Sequence, residues 1–190
     1  MQTLLSSSEF VSDIKFPAFG FRQHYMATTA GDAVTLPDHI RQYQVPVQQL
    51  CDKLSYTGMI HVTIDEKTLS LGQTQRKPEL HVDGRFNGEY WGHSPGWNHY
   101  CNSVPLPRMA VAVASTVPLC KVYHGEFQAE VGEQGNLSHI RNQVGEGLLV
   151  PANEWHLLSP DCVHESLPAE QETRRSFIRV AFETAPTGYR

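Results

Sequence analysis

The chain has no run of about eighteen apolar residues, the shortest stretch that crosses a bilayer as a helix. Residues 1–16 do not join a basic start to a long apolar segment either. Neither membrane insertion nor secretion is expected. Its four cysteines, Cys51, Cys101, Cys120 and Cys162, form no Cys-x-x-Cys pair and no even framework, so a reducing cytoplasm is the expected setting. Basic runs are missing too. Fifteen Lys and Arg against twenty Asp and Glu give a net charge of −5, which argues against a dedicated nucleic-acid binder. There is no internal repeat and no low-complexity segment.

With 190 residues, 40% of them hydrophobic, the chain is expected to form a single domain over 1–190 that buries well over half of its unfolded surface. Such a core needs no metal to fold, so a bound metal would serve catalysis. Residues 1–34 mix Ser, Thr, Gly and aromatics without a period and read as irregular structure or short strands. From Leu36, Pro37 and Asp38 suit a helix start. Ile40, Val47, Leu50 and Leu54 recur at helical intervals, and Pro46 should kink or split the segment. Residues 59–64 alternate like a strand, and 69–72 are expected to begin another extended run. Short strands are then predicted over 109–115, 119–124, 125–131, 137–142, 147–150, 155–159 and 174–182. That many short strands favour a jelly-roll or double-stranded barrel over an α/β layout.

Residues 84–107 stand apart, with Trp91, Trp97, Tyr90, Tyr100, His93, His99 and several Gly and Pro. They are too polar and too broken for a core element and read as a long loop, a class that is usually functional or disordered. Packing over a barrel mouth and a substrate lid built on Trp91, Trp97 and Tyr100 are equally open readings.

The segment Leu80-His81-Val82-Asp83-Gly84 carries the most chemical information. Two residues apart on an extended chain, His81 and Asp83 point to the same side while Val82 faces away. A distant second histidine would complete three protein ligands, and two His with one carboxylate leave three positions open on an octahedral ion, as in non-haem Fe(II) oxygenases. His164 and His156 both compete for the distal place. Asp83-Gly84 is also a strong turn signal, so the pair could be a plain exposed turn. Along 174–182, Arg174, Ser176, Ile178 and Val180 share one face, and Arg175, Phe177, Arg179 and Ala181 the other. The first offers a lone Arg beside a Ser hydroxyl on an apolar wall, where a ligand carboxylate would relieve a buried guanidinium.

In the order His81-x-Asp83, His164, Arg174-x-Ser176, the stretch 78–182 resembles the 2-oxoglutarate and Fe(II)-dependent oxygenases, and within it the segment 157–182 looks most like the prolyl-hydroxylase-type branch. The first 75 or so residues lie outside the resemblance. It implies a mainly β fold with flanking α-helices, a double-stranded β-helix (a cupin-like jelly-roll barrel). In it 1–75 would give N-terminal strands and helical support, and 76–185 the core. It further implies Fe(II) on His81, Asp83 and His164 as the catalytic group, and 2-oxoglutarate with its far carboxylate on Arg174 and Ser176. With dioxygen, such an enzyme hydroxylates a C–H bond of a small molecule or peptidyl side chain and releases succinate and CO2. A further Tyr or Asn contact to the co-substrate is usual in the family; Gln73, Gln75 and Tyr123 are the nearby polar residues here. Two rivals stand beside it: a cupin-type metal dioxygenase that does not use 2-oxoglutarate, with His156 as a ligand, and a non-catalytic ligand-binding β-barrel. His61, His93, His99, His124 and His139 are read as solvent-facing or hydrogen-bonded fillers, and Cys162 as a packed thiol.

Overall fold

A computed structural model describes residues 1–20, 25–83, 109–132 and 135–187. Among these residues the fold is mainly β, with antiparallel pairing throughout and one α-helix. The N-terminal third supplies β1 (Gln2–Ser6), β2 (Ser8–Asp13), β3 (Tyr25–Ala30), α1 (Gln44–Lys53) and β4 (Met59–Leu69). The remainder supplies β5 (Val111–Ser115), β6 (Cys120–Tyr123), β7 (Gly125–Ala129), β8 (Leu148–Leu149), β9 (Glu154–Leu158), β10 (Val163–Ser166) and β11 (Thr173–Phe182). A six-stranded sheet runs β2-β9-β5-β11-β4-β3, a three-stranded sheet β10-β6-β8, and β1 pairs with β7.

The helical segment forms where its apolar spacing requires, in two pieces. A 3-10 helix, Asp38–Tyr43, passes directly into α1, and Pro46 sits in the first turn of α1, where a missing N–H costs nothing. Val47, Leu50, Cys51 and Leu54 then face inward with Ile40 and Tyr43. They pack on one face of the large sheet, made of Ile60, Val62 and Ile64 of β4, Ile178, Val180 and Phe182 of β11, and Trp155 and Leu157 of β9. The small side chains Ala110, Ala112 and Ala114 share this layer with the bulk of Trp155.

The opposite face of the same sheet builds a second core against the three-stranded sheet. Val111, Val113, Leu158, Phe177 and Ala181 meet Cys120, Val122, Val150 and Cys162 there. Beyond the small sheet, a third cluster joins Leu4 of β1 and Phe127 of β7 to Leu80, Val82, Tyr123 and Val163. The thiols of Cys51 and Cys120 are pushed up to about 12, mainly by burial, and that of Cys162 is raised the same way. All three are packed apolar groups that resist ionisation.

Two strand expectations need correction. β4 runs unbroken to Leu69, and the chain then turns, with Gly72 at φ +78, Gln73 N–H donating to Ser70 O and Ser70 N–H donating to the Gln73 side chain. Apolar Leu69 and Leu71 suggested a strand, yet Leu71 is 73% exposed and only Leu69 enters a core. Residues 137–142 hold a 3-10 helix, Ser138–Ile140, in place of a strand. The Asn136 side chain accepts from Ser138 N–H and so favours a turn over an extended chain.

Ile178 lies at the centre of the helix-facing layer and is fully buried. Ile178→Ala should cost about 3 kcal/mol, lowering the melting midpoint by roughly 6–12 °C in a chain of this size. Thermal unfolding followed by circular dichroism checks this, and a shift under 2 °C would mean the layer is not packed as described.

Candidate metal centre

Residues 80–82 cross the open side of the small sheet as a single extended thread. His81 N–H donates to His164 O at 2.9 Å and His164 N–H to His81 O at 3.0 Å, a reciprocal antiparallel pair. On the thread's other edge, Leu137 N–H donates to Leu80 O, and Val82 N–H to Gly135 O. Alternation then does the sorting. Leu80 and Val82 enter the third apolar cluster, while His81 and Asp83 turn to the other side with His164.

Three ligand atoms converge. His81 Nε2 lies 3.8 Å from Asp83 Oδ1, and His164 Nε2 lies 3.7 Å from Asp83 Oδ2. Ligand atoms of all three residues fall within 4.8 Å of one another, close enough to hold a metal ion. The rings of His81 and His164 sit 4.2 Å apart between centroids.

Both histidines are oriented by the same device. Nδ1 of His81 donates to Glu79 O at 2.7 Å, and Nδ1 of His164 to Cys162 O at 2.9 Å. A carbonyl can only accept, so each Nδ1 carries the proton, and in the neutral ring Nε2 presents its lone pair toward Asp83. Backbone carbonyls that fix the tautomer of a ligating histidine are the expected outer partners of a metal.

The charges agree with this arrangement. Burial, and then the neighbouring His164, lower the His81 pKa to about 3, so the ring is neutral at physiological pH. Burial works to raise the Asp83 pKa, but the Arg179 charge, followed by the two imidazoles, holds this carboxyl well below its ordinary range. Arg179 Nη1 donates to Asp83 Oδ2 at 3.1 Å, and Nη2 to Thr63 Oγ1 at 3.4 Å. The donor set therefore comprises two imidazoles and an ionised carboxylate, chemistry that fits a divalent first-row metal.

The structure does not bring every predicted residue here. Arg174 and Ser176 lie on the other face of β11, which runs in unbroken register along β4. Arg174 is exposed, with its guanidinium 5.8 Å from the Phe19 ring. The Ser176 hydroxyl donates to Glu66, a buried carboxylate that also accepts from Tyr43 OH and Gly20 N–H. The two rows of β11 alternate as expected, and Arg174 and Ser176 belong to the one turned away from the triad. The apolar wall beside Ser176 is the floor on which α1 packs, and the row that faces the triad is Arg175, Phe177, Arg179 and Ala181. The signal was present in the sequence, since a helix with apolar Val47, Leu50 and Leu54 needs apolar sheet positions such as Ile178, Val180 and Phe182 beneath it.

Arg179 and Arg175 are thus the guanidiniums that sequence reasoning passed over. Arg175 is 1% exposed and donates to three neutral acceptors, Val117 O, Gln75 Oε1 and Ser115 Oγ. Burial lowers its pKa to about 10, and that of Arg179 to about 10 as well. Both remain cationic at neutral pH. Of the other candidates, His156 sits on β9 two strands from β11, with Nε2 at 3.0 Å from Glu154, and joins no ligand group among the described residues. Tyr123 points to the opposite side of the small sheet, bonded to Glu165, and Gln73 closes the turn after β4. Trp91, Trp97 and Tyr100, with the rest of the 84–107 loop, lie outside the described residues.

Two outcomes follow. Co(II) titrated into the wild-type protein should produce visible d–d absorption with one equivalent bound. His81→Ala and His164→Ala should abolish it, and His156→Ala should leave it intact; loss in the last variant would reassign the distal ligand. Without metal, the depressed His81 pKa means that the unfolded chain binds more protons than the folded one between about pH 6.5 and 3. Stability is therefore complete above pH 6.5 and falls on acidification, by about 2 kcal/mol between pH 7 and 5. Urea unfolding of wild type and His81→Gln at the two pH values checks this: the variant should lose that part of the slope.

Comparison with known proteins leaves the geometry to carry the functional argument, since no family profile, no curated protein and no solved structure matches this chain.

Proposed function

We propose that this protein is an Fe(II)- and 2-oxoglutarate-dependent oxygenase that hydroxylates a C–H bond of a small molecule or a peptidyl side chain. The observation that carries the reading is the convergence of His81, Asp83 and His164, with both imidazoles held by backbone carbonyls and Nε2 toward the carboxylate. The strand pairing supports the finer fold that this function requires. Within the large sheet β4, β11, β5 and β9 are consecutive neighbours, and facing them are β10, β6 and β8 with the 80–82 thread added beside β10. Four strands facing four is the arrangement of an eight-stranded double-sheet jelly roll.

Bound iron would supply the site at which dioxygen is reduced, 2-oxoglutarate giving two electrons as it yields succinate and CO2 and the substrate C–H bond giving two more. The chain's own work is to position and to exclude water. His81 and His164 offer imidazoles whose Nδ1 is held by a backbone carbonyl, and Asp83 offers one anionic ligand, so open positions remain for co-substrate and oxidant. The counter-charge for the diacid falls to the inward row of β11. Arg175, buried with only neutral acceptors, is the group whose burial cost a bound carboxylate would offset best. Gln75, already on Arg175, is the polar neighbour placed to share that carboxylate.

One observation favours a second reading, a metal-dependent dioxygenase that does without 2-oxoglutarate. Phe177 stands between Arg175 and Arg179 on the inward row, with the Arg175 guanidinium 5.4 Å from its ring, and so occupies space a diacid would need.

Succinate release and oxygen uptake, measured with Fe(II), 2-oxoglutarate and a panel of metabolites and peptides, separate the two. The main reading expects succinate in step with oxygen uptake, and its loss in His81→Ala by more than the roughly ten- to hundredfold typical of losing an outer-shell partner. Arg174→Ala should stay within about twofold of wild type, whereas Arg175→Met should raise the KM for 2-oxoglutarate about ten- to hundredfold, the worth of one charge-assisted hydrogen bond. Oxygen uptake without succinate would select the second reading, and metal binding without either would remove both.

A further inference from the structure

The triad contains a cation of the protein's own beside its only anion. Arg179 reaches across from β11 to Asp83 with Nη1 at 3.1 Å from Oδ2, while Nη2 is held by Thr63 of the adjacent strand. The strands beneath are in unbroken register, with Arg179 opposite Thr63 on one side and opposite Val113 on the other. The guanidinium is therefore anchored from below. Its side chain is 9% exposed and that of Asp83 17% exposed, so the contact is largely shielded from water.

Two consequences follow from elementary electrostatics. The guanidinium engages Oδ2, whereas Oδ1 is the oxygen nearer His81. It also offsets the single negative charge of the ligand set, so a divalent ion arriving alone meets two imidazole rings and a carboxylate already matched by a positive charge. With the ion bound, the surplus positive charge favours an anion as the next ligand, and an interaction of this kind is strong where water is scarce.

We propose that Arg179 is a positioning residue that couples metal retention to binding of an anionic co-ligand, weakening uptake of the bare divalent ion and strengthening uptake of the ion together with a chelating dianion. The inference rests on the metal-site reading above and deepens it, because it says which form of the site the fold favours. Coupling of this sort is reciprocal: the anion binds more tightly to the loaded protein by the factor by which it tightens the metal. Among the described residues the nearby charges do not change the sign: Lys77 acts on His81 and Arg76 on Arg179 as further cations, Arg76 lies 3.9 Å from Asp65, and Arg175 donates to neutral acceptors.

The test uses Mn(II) and oxalate as probes, with the full chain. Calorimetric titration gives the Mn(II) dissociation constant without and with saturating oxalate for wild type, Arg179→Gln and Arg179→Lys. Thermal melts of the metal-free proteins establish that each is folded. The ratio of the two constants should be at least about tenfold larger in wild type than in Arg179→Gln, and Arg179→Lys, which keeps the charge, should recover most of it. Binding of bare Mn(II) should be tighter in Arg179→Gln than in wild type. Equal ratios in wild type and Arg179→Gln, or a Lys variant that behaves like Gln, would overturn the inference while leaving the metal site standing. Should wild type take up no Mn(II) at all, the functional reading falls along with it. If Arg179→Gln fails to fold, the Lys variant against wild type decides through the same ratio: a loss of about tenfold or more counts against charge as the agent.

Discussion

The reciprocal backbone hydrogen bonds between His81 and His164 are the constraint on which the site depends. They make neighbours of two residues more than eighty positions apart in the chain, and they fix the side to which each imidazole points. Once the thread is registered on β10, alternation carries Asp83 to the same side and sends Leu80 and Val82 into an apolar cluster. A slip of one residue would exchange the two sets, burying charged ligands among Tyr123, Phe127 and Val163 and turning Leu80 and Val82 toward the triad. The apolar burial of the thread thus selects the register that assembles the ligands.

Charge balance is the second level of organisation. The inward row of β11 alternates two guanidiniums with apolar Phe177 and Ala181, and burying a charge is costly unless it is matched. Arg179 is matched by Asp83 and Arg175 by three neutral oxygens. On the other face of the same sheet the buried acidic group is Glu66, which accepts from Tyr43, Gly20 and Ser176. Each face therefore solves its own electrostatic problem, and the hydroxyl of Ser176 belongs to the helix-facing solution, away from the triad.

Much of this was legible in the residues themselves. The helical spacing of Val47, Leu50 and Leu54, the short strands of the second half, and the shared side of His81 and Asp83 all follow from local patterns of period 3.6 or 2. What misled was the choice between the two faces of β11, because parity says which residues share a face and nothing about what that face meets. Arg174 with Ser176 matched a familiar order of residues, yet the apolar positions that follow them, Ile178, Val180 and Phe182, are those the helix needs. Likewise Leu71 and residues 137–142 had strand-like composition but no strand to pair with, since the chain turns at Gly72 and at Asn136.

The sequence by itself determined the ligand types and their local geometry: two residues apart on an extended chain, His81 and Asp83 share a side whatever surrounds them. Tertiary structure alone decided that His164 rather than His156 stands across from His81, that Arg179 grips Asp83, and that Arg174 faces outward. The physical reason is range. Backbone alternation is a local property carried by each residue's own dihedral angles, whereas the partner of a side chain depends on which distant strand the buried apolar surface brings alongside it.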